Sequence, residues 1–121
     1  MRNQRKEIRL KEEHKLTFLI VSEEKNPLDD NTYLAFTENI SSGGIKIVTN
    51  KLLKIGTLLE IELSLGGKNK AINLFGRVQW IRHLYDGELF AIGVMFEDNS
   101  AENIMSLMEY IYKKKGSSFK E

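Results

Sequence analysis

From His14 onward, apolar and polar residues alternate in short runs separated by clusters of turn-forming residues. The clearest run sets Leu59, Ile61 and Leu63 against Glu60, Glu62 and Ser64, the pattern of a strand with one dry and one wet face. Five other runs read as strands: His14 to Val21, Tyr33 to Thr37, Ile45 to Thr49, Ile72 to Ile81 and Glu88 to Phe96. Between Ile72 and Ile81, strict alternation puts Ile72, Leu74, Gly76, Val78 and Trp80 on one face. A glycine inside such a run suggests a bulge, a barrel corner or a close backbone approach. In the last run Phe90, Ile92, Val94 and Phe96 share a face, and small Ala91 and Gly93 let something pack close on the other. The breaks are equally clear: Ser22 to Asn31 around Pro27, Asn39 to Gly44, Leu52 to Gly56, Gly66-Gly67 and the hairpin signal Asp86-Gly87. Six short strands with regular turns predict a mainly β chain forming a closed or nearly closed six-stranded antiparallel β-barrel.

Both ends depart from this pattern. Ile104, Met105, Leu107, Met108, Ile111 and Tyr112 recur at helical spacing and predict one C-terminal α-helix, its broad apolar face expected to cover the barrel rather than to serve as an interface. Asn99 with Glu102 outlines a capping box, Lys113 to Lys115 suit the C-terminal dipole, and Gly116 is expected to end the helix. Residues 1–13 have only Ile8 and Leu10 as large apolar residues after Met1, and read as a flexible arm. The expected organisation is an arm at 1–13, a barrel with its helix at 14–116 and a tail at 117–121.

Composition narrows the chemistry. A length of 121 residues fits one domain, and 41% apolar residues allow a core. There is no cysteine, which removes disulfides, thiolate nucleophiles and thiolate metal sites. No apolar run could span a membrane and no signal-peptide block comes after the charged N-terminus, so the expectation is a cytoplasmic protein without membrane insertion. A net charge of +1 points to no polyanion, and Glu60 and Glu62 on the wet face of the clearest strand oppose a nucleic-acid groove. Two isolated histidines supply no nucleophile–base pair or metal cluster, so neither an enzyme nor a metal or cofactor site is expected. Asp29-Asp30-Asn31 gathers three oxygen-bearing side chains, but calcium-loop spacing is absent and a solvated loop is the reading.

Two stretches hold the candidate chemistry. In the arm, Arg5 and Arg9 fall on one side whether the segment is helical or extended, so two guanidinium forks can address one object. A solvated basic tail is the alternative. Asn39-Ile40-Ser41-Ser42-Gly43-Gly44 is a polar, glycine-ended reversal that either merely connects two strands or presents N–H groups and short polar side chains to a small ligand.

Arg5-Lys6-Glu7-Ile8-Arg9, then Asn39-Ile40-Ser41-Ser42-Gly43-Gly44, then the strands holding Gly76 to Trp80 and Gly93 to Phe96, then a helix, come in an order that resembles the PilZ domain family. These are bacterial receptors for the second messenger cyclic di-GMP, with the pattern RxxxR and then [D/N]xSxxG on a six-stranded barrel. The resemblance implies ligand contacts from Arg5, Arg9, Asn39, Ser41, Gly43 and Gly44. Gln4, just before the arginine pair, occupies a position that influences ligand stoichiometry in the family. Asn39 stands where many members have Asp, and its neutral amide accepts less strongly from a guanine edge. Trp80 is expected in the core, covering a base being the other reading, and Arg82 is expected to be a solvated edge residue unless it adds charge to the site. The resemblance implies a stand-alone receptor whose ligand orders the arm and changes the surface read by a downstream effector protein. The alternative is a PilZ-like adaptor that works through protein contacts without nucleotide.

Overall fold

The computed structural model describes residues 14–21, 32–64 and 71–119, with Glu38, Asp86 and residues 114–119 described by backbone only. Six strands and one helix succeed one another along the chain: β1 His14–Ile20, β2 Tyr33–Ile40, β3 Gly44–Thr49, β4 Leu58–Ser64, β5 Ala71–Leu84, β6 Leu89–Phe96 and α1 Ala101–Phe119. They close in the order β1-β2-β3-β6-β5-β4, every neighbouring pair antiparallel. The expected six-stranded barrel and C-terminal helix are therefore present. β2 is longer than the alternation suggested and contains Asn39 and Ile40, β5 runs three residues past Ile81, and a 3-10 turn at Tyr85–Gly87 makes the β5–β6 hairpin.

The interior is set by the pleat. Leu16, Phe18 and Ile20 point inward from β1, Ile45 and Ile47 from β3, Leu59, Ile61 and Leu63 from β4, and Phe90, Ile92 and Val94 from β6. Each fully buried aliphatic side chain contributes about 1.5–3 kcal/mol of transfer free energy. Gly76 on β5 is a close-approach glycine: a Cβ there would strike the Val94 side chain.

Alternation fails in two places. On β2, Ala35 and Thr37 are buried, but the register shifts between Thr37 and Asn39, and the next buried residue is Ile40. On β5, Leu74 and Val78 are buried, but the register shifts between Val78 and Trp80. Each bulge adds one residue, Glu38 or Gln79, and reverses the facing of the residues beyond it. Trp80 is consequently not in the core. It lies on the outer wall, 40% exposed.

α1 covers the barrel less fully than its sequence pattern suggests. Leu107 and Ile111 are buried and Ile104 and Tyr110 pack against the core, whereas Met105, Met108 and Tyr112 are exposed. A helix lying on a convex barrel buries only a narrow stripe. The Tyr110 hydroxyl and His14 Nε2 stand 3.0 Å apart, and Asn103 Nδ2 donates to the Asn73 carbonyl at 2.9 Å. The helix cap also differs from expectation. Ser100 Oγ accepts from the Asn103 N–H at 3.1 Å, which makes Ser100 the N-cap. Asn99 is committed elsewhere: its Oδ1 accepts from the Phe75 N–H at 2.6 Å and its Nδ2 donates to the Phe75 carbonyl at 2.9 Å. Nor does Gly116 end the helix, which continues to Phe119. Glycine costs only about 1 kcal/mol inside a helix relative to alanine, so it permits a stop without enforcing one.

Candidate functional site

The two bulges converge on one place. Asn39 pairs with Lys46, Lys46 with Gly93, and Gly93 with Trp80, so the four residues form one row across β2, β3, β6 and β5. Strict alternation would have turned both Asn39 and Trp80 inward. The bulges bring both to the outer wall, where this row and the adjoining Ser41, Gly43, Gly44, Gln79 and Met95 line a pocket of about 460 Å³.

Asn39 is set by Thr37. The Thr37 hydroxyl, fully buried, donates to the Lys46 carbonyl and accepts from the Asn39 N–H at 3.3 Å. This closes the ladder on both sides of the extra residue, so Asn39 stands on rigid backbone at the pocket wall.

Ser41, 1% exposed, shapes the turn. Its Oγ accepts from the Gly43 N–H at 3.2 Å and the Gly44 N–H at 3.3 Å, and its own N–H donates to the Gly44 carbonyl at 3.0 Å. Those two glycine N–H groups thus point at the serine. Gly43 offers its carbonyl to the Phe96 N–H at 3.0 Å, which ties the turn to the end of β6. Gly44 is required for space rather than for a left-handed conformation: a Cβ there would collide with the Val94 carbonyl oxygen, whereas the positive-φ glycines among the described residues are Gly56 and Gly87.

The room that Gly93 leaves is taken by Trp80. A Cβ at residue 93 would overlap Nε1, Cε2 and Cδ1 of the indole. Arg82 is exposed, as expected, and its guanidinium lies 5.7 Å from the Trp80 ring centroid, within cation–π reach. The next row of outward residues is Gly44, Met95 and Arg77. Arg77 donates to both oxygens of Glu97, from Nε at 3.0 Å and from Nη2 at 2.8 Å, and from Nη1 to the Gly56 carbonyl at 2.9 Å. Hydrogen bonding from Arg77 holds the Glu97 carboxyl below the usual carboxylate range; desolvation opposes it.

Arg5, Arg9 and Gln4, together with the Asp29-Asp30-Asn31 loop, lie outside the described residues. Lys46, Gln79, Gly93 and Met95 also line the pocket, and sequence reasoning assigned none of them to the site. The available signal was Gly93 in the final strand, a missing side chain facing outward. Among the described residues no three His, Asp or Glu side chains cluster as a metal site, and no helix is long and apolar enough to cross a membrane.

The closed barrel of this strand order carries a pocket built on the β2–β3 turn. The PilZ domain family model matches residues 3–113, and the chain belongs to that family. Solved structures agree on the fold. The inhibitor of motility MotI/DgrA of Bacillus subtilis is similar at a TM-score of 0.72 and 17% identity over 95% of this chain and 52% of that one. The PilZ domain of YcgR from Escherichia coli with c-di-GMP aligns at a TM-score of 0.68 and 14% identity, covering 96% of this chain and 95% of that one. The K. pneumonia MrkH–c-di-GMP complex aligns at a TM-score of 0.70 and 14% identity, covering 98% and 55%. The chain thus spans about half the length of two of these three structures. Among curated proteins, none matches the sequence.

Proposed function

We propose that the chain is a receptor for cyclic di-GMP, bound on the outer wall over the Asn39–Lys46–Gly93–Trp80 row and closed by Arg5 and Arg9 from the arm. The observation that carries this reading is the row itself. It gathers an amide, a cation and an aromatic ring around a pocket of about 460 Å³. Guanine offers donors at N1 and N2 to the Asn39 amide oxygen and acceptors at O6 and N7 to an arginine fork. The Trp80 face suits stacking on a base. Lys46 supplies positive charge for a phosphate. Ser41, Gly43 and Gly44 act chiefly by holding the turn in shape. Membership of a family in which YcgR and MrkH have been solved with c-di-GMP supports the ligand assignment.

In this reading the protein is a cytoplasmic signalling receptor without catalytic activity. The ligand draws the arm onto the wall, and a downstream effector protein reads the changed surface. β1 begins at His14, which contacts Tyr110 of α1, so in this reading ordering the arm reaches the helix through this contact. Calorimetry with cyclic di-GMP tests the assignment. Saturable binding that GTP does not compete for, and that Arg9→Ala abolishes, is the expected result. No binding by the folded wild type overturns it and leaves the nucleotide-free adaptor. Hydrogen exchange of residues 4–12 tests the arm, and equal exchange with and without ligand would sink its ordering.

A further inference from the structure

The outer side of α1 carries apolar residues that the barrel does not use. Met105 is 68% exposed, Met108 36% and Tyr112 54%. With exposed Ala101 they fall within an arc of about 60° on a helix of 3.6 residues per turn. Their spacing of four, three and four residues is that of a helix-pairing seam. Buried Leu107 and Ile111 occupy the neighbouring arc toward the barrel, and exposed Glu102, Glu109 and Lys113 line the seam's outer flank. The charges are ordered along the axis. The carboxylates come first, Lys113 comes after them, and the sequence continues with Lys114 and Lys115.

We propose that α1 pairs in antiparallel fashion with α1 of a second copy of this chain, about a two-fold axis near Met108. The charge order selects this occupant and this direction. With the axis at Met108, that residue meets its own counterpart, Met105 lies beside Tyr112 of the second copy, and Glu102 lies opposite the Lys113 turn. The Glu102–Lys113 contact forms twice, as an isologous contact requires, while Glu109, next to the axis, lies near its own counterpart and opposes the pair. The helix dipoles also oppose one another favourably, whereas a parallel pair would bring like ends together. Three large apolar side chains make a small interface, so the association is weak and depends on concentration. It is independent of the ligand assignment above.

Sedimentation of the full 121-residue chain from micromolar to millimolar concentration, without nucleotide, tests the pairing. The expected mass rises from 14.0 kDa toward twice that value. Met108→Glu, on the exposed face and with an unchanged far-ultraviolet spectrum, weakens dimerisation by about tenfold or more. Glu102→Lys weakens it, and adding Lys113→Glu restores it. A wild type that stays at 14.0 kDa into the millimolar range overturns the proposal, as does a Met108→Glu variant that dimerises normally. A charge-reversed double variant no better than its single parent overturns the antiparallel arrangement.

Discussion

The indole of Trp80 occupies the space that a side chain at residue 93 would need. β5 and β6 are adjacent, and their outer faces meet only because one partner has no Cβ. Gly93→Ala should therefore lift the ring away from the wall. Trp80 is the chain's single tryptophan, so its emission reports the move directly. We expect a changed emission maximum, a stability loss of about 1–3 kcal/mol from overpacking and weaker cyclic di-GMP binding. Unchanged emission and unchanged affinity together would mean that the ring position has no bearing on the site.

Thr37 should matter more than a buried threonine in a strand ordinarily does. Thr37→Val keeps the shape but removes the hydroxyl that joins the Lys46 carbonyl and the Asn39 N–H. Leaving those groups without it costs about 1–3 kcal/mol, measurable by urea unfolding. Affinity for cyclic di-GMP should fall as well, because Asn39 loses its fixed backbone. A variant as stable as the wild type would show that the bulge holds itself.

Asn39→Asp tests the guanine contact. A carboxylate accepts more strongly than an amide, by about 1 kcal/mol or more, so tighter binding of several-fold is expected in calorimetry. Asn39→Ala should weaken binding. If the aspartate variant binds no better than the alanine variant, residue 39 does not meet the base.

The Arg77–Glu97 pair gives a pH dependence with a definite sign. Hydrogen bonds from Arg77 lower the Glu97 pKa, and Glu97 in turn raises that of Arg77, which stays charged throughout. A depressed carboxyl contributes stability above its unfolded pKa and loses it as pH falls through the lower folded value. Glu97→Gln cannot titrate. The stability gap between wild type and Glu97→Gln should therefore be largest near neutrality and shrink as pH falls below the usual carboxylate range in urea titrations. A constant gap would assign the effect to packing.

The barrel was legible because alternation is a local signal: it marks out the strands β1 and β3, and it names the inward residues Leu59, Ile61 and Leu63 of β4. The motif turn was legible from Asn39, Ser41 and Gly44 for the same reason. Trp80 was not, because alternation extrapolated from Leu74 and Val78 runs straight through a bulge that no residue type announces. Lys46 joins the pocket through pairing across strands and Gln79 through the β5 bulge, neither of which a single line of sequence contains. The cap differs from expectation because two neighbours both favour that position. Asn99 found a carbonyl and an N–H on β5, and Ser100 took the cap. Met105, Met108 and Tyr112 read as core because apolar period says what can be buried, while barrel curvature decides how much is.

The closure of the six strands has a consequence for recognition. Every strand already has a hydrogen-bonded neighbour on each side, so along the closed girth of the barrel, short of the β5 overhang at Trp80–Leu84, the described sheet offers no open edge to which a peptide could add itself as a further strand. A partner must instead read side chains standing out from the wall or along the helix. Backbone augmentation tolerates many sequences, but side-chain reading does not. Substitutions of single outward residues should thus redirect who is recognised while leaving the barrel beneath them intact.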